Sequence, residues 1–299
     1  MQPGGTDLGR VGVWAFQFSV SAFDEARHWA REVDELGYGA IWIPEAGVRD
    51  PFVTATALLA ATERVVLATG IASIWARPAY TMAAAHQSLE AAFPGRFLLG
   101  LGVSHEPAVQ GFFRTEYRKP YTAMVEYLAA MDRVAIMATP APTQPQKVLA
   151  ALGPKMLALA GSATAGAHPY NVTAEHTAEA RAILGEDSFL AVEHAVCLTT
   201  DADEARASGR RHLSMYLGLP NYVNNIHRLG FSEADTADGG SDQLVDALVA
   251  WGSEADIAKK IGEHHTAGAD HVCIQVLPNR DQTPLDVWRS LAPALLDGR

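Results

Sequence analysis

Residues 63–107 read ERVVLATGIASIWARPAYTMAAAHQSLEAAFPGRFLLGLGVSHEP, and this stretch decides the fold class. Residues 65–72 form an apolar run, the pattern of a strand covered on both faces, as in a parallel sheet. Residues 81–93 follow with helical spacing and close at Pro94-Gly95, a pair that stops a helix. Residues 97–103 return to a strand pattern. Strand, helix and second strand in sequence make one βα repeat.

The same rhythm extends in both directions. Residues 11–16 and 39–43 read as strands. Between them a helix over 24–36 places Ala26, Trp29, Ala30, Val33 and Leu36 on one face, with Gly37 at its end. A helix over 51–62 leads into the quoted stretch. Beyond it come a helix over 121–137 and strands over 147–152, 166–169, 189–199 and 271–277. Helices fill the intervals: 155–161, one capped by Thr173 to Leu184, one capped by Asp201 to about Leu217, and one from Ser253 to His265. A closing helix over 285–296 is entered at Pro284.

About eight strands, most followed by a helix, fit an open doubly wound sheet or a closed barrel. No GxGxxG follows the first strand, so the dinucleotide fingerprint is missing. Eight units in 299 residues favour an α/β protein of the (β/α)8 TIM-barrel kind. Residues 218–240 show little helical periodicity and read as an insertion over the C-terminal mouth, where long loops are usually functional. Residues 139–145, with three prolines, read as a connecting loop. The whole chain, 1–299, is taken as a single domain.

Charge and cysteine usage narrow the function. Lys and Arg number 23 against 34 Asp and Glu, a net charge of −11 that repels polyanions. No basic run offsets it, so neither nucleic acid nor an anionic membrane is an expected partner. Cys197 and Cys273 lie in apolar strand patterns and read as core residues, with no CxxC pair. Residues 1–10 lack the apolar stretch of a signal peptide, and no window approaches a membrane span. The expectation is a soluble, cytoplasmic protein with a small-molecule substrate.

In a barrel the working residues lie at the C-terminal strand ends. That rule points to Glu45 after the second strand, to Gly70, Ser73, Trp75, Arg77 and Tyr80 after the third, and to Gly100–Glu106 after the fourth. Gly153-Pro154 opens a helix, where free backbone N–H groups and the helix dipole favour an anion, and Lys155 adds a positive charge. Gly70, Gly100 and Gly102 let a backbone approach a flat ring. His105 follows the fourth strand and is a candidate proton carrier near neutral pH. His28, His176, His264 and His265 fall in helix patterns and read as solvated. No HExxH or GxSxG is present, so metal and Ser-nucleophile chemistry have no support, and no metal is expected.

With these residues in view, the chain resembles the bacterial luciferase-like superfamily, specifically its branch that uses the deazaflavin coenzyme F420. The resemblance spans residues 11–296. It is carried by the quoted stretch, by residues 149–173 with Gly166-Ala167-His168-Pro169-Tyr170, and by TDADEAR at Thr200–Arg206. It implies a TIM barrel, a non-prolyl cis peptide at Gly70-Ile71 in a bulge behind the ring, and a homodimer. Glu45, Ser73, Val103 and Ser104 would meet the ring or ribityl chain. Leu152, Gly153, Lys155, Met156 and Tyr170 would take the phosphate end. Sugar-phosphate dehydrogenases of that branch carry an acid–His pair after the second strand and a glutamate after the fourth. Here Ala46 follows Glu45, and His105 stands in place of that glutamate.

The implied activity is hydride transfer between F420 and a small organic substrate, with His105 moving the accompanying proton and Glu45 assisting. The alternatives are an FMN-dependent monooxygenase and a non-catalytic carrier or sensor of the cofactor.

Overall fold

In the computed structural model, residues 6–277 and 282–296 are described. Residues 1–5, at the head of the segment read for a leader, lie outside them, as do 278–281 and 297–299. The chain opens with β1 (Val11–Trp14), the one-turn α1 (Gln17–Val20), α2 (Phe23–Leu36), β2 (Ala40–Ile43) and α3 (Pro51–Leu59). The expected strand over 11–16 stops early because Phe16 already caps α1. The expected strand over 65–72 is two pieces, β3 (Val66–Thr69) and β4 (Ala72–Ser73), parted at a cis peptide between Gly70 and Ile71. Then come α4 (Ala79–Ala92), β5 (Phe97–Gly102), α5 (Glu106–Ala108), a π-helical turn (Val109–Phe113) and α6 (Pro120–Asp132). The last is shorter than the 121–137 expected.

The second half runs β6 (Gln146–Leu149), α7 (Pro154–Ala163), β7 (Gly166–Ala167), α8 (Ala174–Leu184), β8 (Phe189–Leu198) and α9 (Ala202–Leu213). It continues through α10 (Pro220–Arg228), α11 (Glu233–Thr236), α12 (Asp242–Leu248), β9 (Val249–Gly252), α13 (Glu254–Thr266), β10 (His271–Val276) and α14 (Pro284–Leu296). Thr173, Asp201 and Ser253 accept backbone N–H groups as the expected N-caps, and Gly37 takes the left-handed conformation that ends α2.

Residues 218–240 correct the sequence reading. They contain α10, a two-turn helix that buries Tyr222, Asn225 and Ile226. Its stripe combines an aromatic, an amide and an aliphatic residue, which is why a search for aliphatic periodicity passed over it. The short β9 was also unforeseen. Four apolar residues directly after a helix carry no signal of their own, and β9 exists because the far end of β8 offers it an edge.

Eight strands run in the order β10-β1-β2-β3-β5-β6-β7-β8, and β10 also pairs with β8, which closes the ring. Every pairing between these strands is parallel. The expected (β/α)8 barrel is therefore the fold. Side chains alternate across the wall. Trp14, Trp42, Ala40, Val66, Ala68, Leu98, Val148, Ala191 and Cys273 fill the interior. A larger apolar layer, including Ile41, Ile43, Leu67, Leu99 and Trp288, lies between the strands and the helices. Both cysteines are buried and unpaired, as expected. Among the described residues no helix is long and apolar enough to cross a membrane.

Two histidines read as solvated are fully buried. His264 on α13 contacts Thr177 Oγ1 at 2.8 Å and His194 Nδ1 at 2.9 Å, while His176 on α8 meets the Leu152 carbonyl at 2.9 Å. Burial pushes His264 down to about 3, so these imidazoles act as neutral hydrogen-bonding spacers between helices and sheet. His28 is exposed, as read.

Candidate active site

The loops that follow β2, β4 and β5 meet at one edge of the mouth. Glu45 leaves β2 and is held by Arg77, whose Nη1 lies 3.0 Å from Oε2 and whose Nη2 contacts Oε1. The same carboxylate accepts the Ser73 backbone N–H at 2.8 Å, so β4 is tied to the loop after β2. Asp50 shares Arg77 at 3.2 Å, and the Arg77 carbonyl accepts the Tyr127 hydroxyl at 2.9 Å. The Glu45 and Arg77 side chains are 8% and 11% exposed. A shielded, multiply bonded pair of this kind is a structural clamp, because either partner alone would be an uncompensated charge.

The Gly70-Ile71 peptide sits where a bulge was expected. The Gly70 carbonyl accepts the Trp14 indole N–H at 3.0 Å. A Cβ on Gly100 would stand 1.9 Å from the Thr69 carbonyl, and one on Gly102 would stand 2.5 Å from Ile71. Those two glycines, read as ring contacts, make room for the bulge itself. Past them, the Val103 carbonyl accepts the Trp75 indole N–H at 2.6 Å. Ser104 has φ +50°, and its carbonyl accepts the Tyr117 hydroxyl at 3.3 Å.

His105 begins α5 and is half-buried. Its ring lies 5.4 Å from that of Tyr222 on α10, so the insertion does cover the mouth. Burial lowers the His105 pKa, and a hydrogen bond with Asn221 opposes the shift. A neutral imidazole results, with a lone pair available as a base.

Tyr170, expected at a phosphate end, has its hydroxyl engaged by Gln275 Oε1 at 2.6 Å and the Tyr216 hydroxyl at 2.7 Å. Its ring packs 5.4 Å from Trp14, 5.3 Å from Tyr216 and 6.3 Å from Tyr222. His212 joins at 5.2 Å from Tyr216. These tilted rings form an aromatic wall across the mouth.

Inside the barrel, Glu193 on β8 is fully buried. Its Oε2 accepts the Asn171 backbone N–H at 3.0 Å, while Oε1 has no partner among the described residues. Burial pushes its carboxyl up to about 8, the hydrogen bond pulling the other way. Glu193 is a neutral acid at pH 7. His168 stacks on Trp42 at 4.0 Å and donates Nδ1–H to the Ala191 carbonyl at 3.0 Å; burial lowers it to about 3.

The anion-friendly corner is narrower than expected. The Met156 and Leu157 N–H groups both donate to the Gly153 carbonyl, and Pro154 has no N–H, so fewer donors than expected are left at the start of α7. Lys155 itself is exposed. The sequence reading missed Arg228. It reaches from α10 to donate to the Leu152 carbonyl at 3.1 Å, and its Nη1 lies 3.6 Å from where a Cβ on Gly153 would stand. Cations from two elements thus flank this corner. A cavity of about 390 Å³ lies at the opposite end of the barrel, among Leu8, Gln146, Phe189 and Asp270, and contains none of these residues. Among the described residues no group of three His, Cys, Asp or Glu stands together as metal ligands do.

Glu193, Gln275, Tyr216 and Arg228 escaped the sequence reading. Glu193 carried one signal, a lone acid inside the apolar run FLAVEHAVCL.

Known proteins share this architecture. The model of a family described as luciferase-like monooxygenase matches residues 4–271. A 5,10-methylenetetrahydromethanopterin reductase from Methanolobus tindarius is 26% identical over 305 residues, spanning 85% of this chain and 91% of that one. An F420-dependent secondary alcohol dehydrogenase, solved with an F420–acetone adduct, superposes with a TM-score of 0.76 at 15% identity, covering 97% of this chain and 99% of that one. A type II Baeyer–Villiger monooxygenase, the oxygenating constituent of 3,6-diketocamphane monooxygenase from Pseudomonas putida in complex with FMN, superposes with a TM-score of 0.69 at 16% identity, covering 96% and 99%.

Proposed function

The chain belongs to the luciferase-like monooxygenase family, and on that footing we propose that it is an oxidoreductase moving a hydride between coenzyme F420 and a small organic substrate. The substrate pair would be carbonyl and alcohol, imine and amine, or enone and ketone. The observation that carries the reading is the division of the mouth. Lys155 and Arg228 flank the start of α7, whereas the wall of Tyr170, Tyr216, Tyr222 and His105 is uncharged. A ligand with an anionic tail and a flat ring fits the first part, and a neutral reactant fits the second. The dehydrogenase bearing an F420–acetone adduct supports the deazaflavin.

In this reading Leu152, Gly153, Lys155 and Met156 hold the phosphate, with Arg228 added. Ile71, Ser73, Val103 and Ser104 line the ring. Tyr170 belongs to the substrate wall. When bound, the deazaflavin gives or takes a hydride at its central ring carbon. His105, held neutral, takes the hydroxyl proton as an alcohol carbon loses its hydride, and returns it in the reverse direction. Glu45 keeps β4 and the loop after β2 in register and does not carry the proton. Residues 1–299 act as one barrel unit that pairs with a second copy; a solution mass twice that of the chain would bear out the pair.

An FMN-dependent monooxygenase is the second reading, favoured by the FMN-bound neighbour. Titrating the purified protein with each cofactor and following absorbance separates the two. F420 binding with alcohol-dependent reduction is expected. Tight FMN binding with NADH-driven oxygen uptake would overturn the proposal.

A further inference from the structure

His105 begins α5, and the first turn of α10 stands against it. The Tyr222 ring lies 5.4 Å from the imidazole at 52°, and behind it the rings of Tyr216 and Tyr170 lie 5.0 Å and 6.3 Å away. Tyr222 is buried, so this contact fixes the turn in place. Asn221, the residue before it, is exposed and hydrogen-bonds the His105 side chain. No side chain caps α10, so the Asn221 amide is not spent on its own helix.

An imidazole that works as a base needs an orienting partner. The neutral ring carries one N–H and one lone pair, and an acceptor on the first fixes which nitrogen keeps the second. The acids that follow β2 and β5 are turned elsewhere. Glu45 is held by Arg77 and the Ser73 N–H, and Glu106 accepts the Gln110 amide at 3.1 Å. Tyr222 stays protonated through burial and adds no charge. Asn221 raises the His105 pKa against the effect of burial, as an accepting Oδ1 does and a donating Nδ2 would not. The amide oxygen therefore takes the ring N–H, and the other nitrogen keeps its lone pair. The positive end of α10 disfavours an imidazolium at this place. A neutral oxygen offsets that without the full charge of a carboxylate, which would favour the protonated ring before any reaction.

We propose that Asn221 is the positioning residue of His105, its side-chain oxygen holding the imidazole in one tautomer so that the other ring nitrogen serves as the base. This rests on the reading of His105 as the proton carrier. As the alcohol carbon gives its hydride to the coenzyme, the hydroxyl proton passes to the free nitrogen, a carbonyl forms, and the imidazolium keeps its other N–H on Asn221.

NMR titration of histidine-labelled protein without coenzyme reads the pairing directly, the His105 signal being the one lost in His105→Gln. In Asn221→Asp the midpoint should move up by about one pH unit at low salt. In Asn221→Leu, which removes the acceptor, it should move down. Both variants lose the same amide from an exposed position, so a loosened α10 alone would shift the two alike. In F420-dependent turnover the acid limb of kcat should move in the same two directions. Asn221→Leu should also lose about 10-fold in kcat at its optimum, with F420 affinity unchanged. An unmoved His105 titration in Asn221→Asp, shifts of the same sign in both variants, or full turnover in Asn221→Leu overturns the proposal. Titrations that diverge as expected in a protein without F420-dependent turnover would support the pairing and sink the hydride-transfer reading instead.

Discussion

Replacing Glu193 with glutamine isolates the cost of keeping an acid inside the barrel. The carboxyl is fully buried and, among the described residues, bonded through one oxygen only. The titratable groups around it are Tyr216, Tyr222, Tyr170 and Cys273, none a cation. Its pKa is raised from the ordinary 4.5 to about 8. Between those values the folded protein keeps the proton while the unfolded chain releases it, so stability falls as pH rises. The slope is about 1.4 kcal/mol per pH unit, and the loss across the window is about 5 kcal/mol. Glutamine preserves the shape and the bond from Asn171 but does not titrate. Urea melts of parent and Glu193→Gln at intervals from pH 5 to 8.5, followed by circular dichroism, give the difference in which other titrations cancel. Near pH 5 the two should differ by about 1 kcal/mol or less. By pH 8 the variant should be the more stable by several kcal/mol. A difference that stays flat across this range would refute the reasoning, since the carboxyl would then be ionising as it does in water.

Lys155→Glu should weaken F420 binding at low salt by placing a negative charge at the positive end of α7, and Arg228→Ala should do so to a smaller extent. Fluorescence titration reads both, and unchanged affinities would move the phosphate elsewhere. His105→Ala should lower turnover about 10²–10⁴-fold with cofactor affinity little altered; turnover within a few-fold of the parent would remove His105 from the mechanism. Gly100→Ala should destabilise by at least about 1–3 kcal/mol, because its Cβ would meet the Thr69 carbonyl at 1.9 Å, whereas Gly111→Ala meets nothing within 4 Å. Thermal melts that rank the two alike would contradict the packing around the bulge.

Strand positions were legible because each repeat writes its own local pattern. The run at 65–72, the Pro94-Gly95 stop and the caps at Thr173, Asp201 and Ser253 act over a few residues, and such signals survive in one dimension. The chain's own order also placed Glu45 and His105 at C-terminal strand ends, since a parallel barrel sends every such end to one face. Partnerships between distant segments left no such trace. Nothing beside Glu45 announces that Arg77 will neutralise it, nothing in α10 announces that Arg228 will reach Leu152, and His264 looks like any polar helix residue until β8 brings His194 against it. Sequence by itself determined the repeat, the barrel and the face to which the C-terminal strand ends point, because these follow from local periodicity and chain direction. Only the tertiary structure decided which groups at that face stay charged, since protonation depends on burial and on neighbours brought together from opposite ends of the chain.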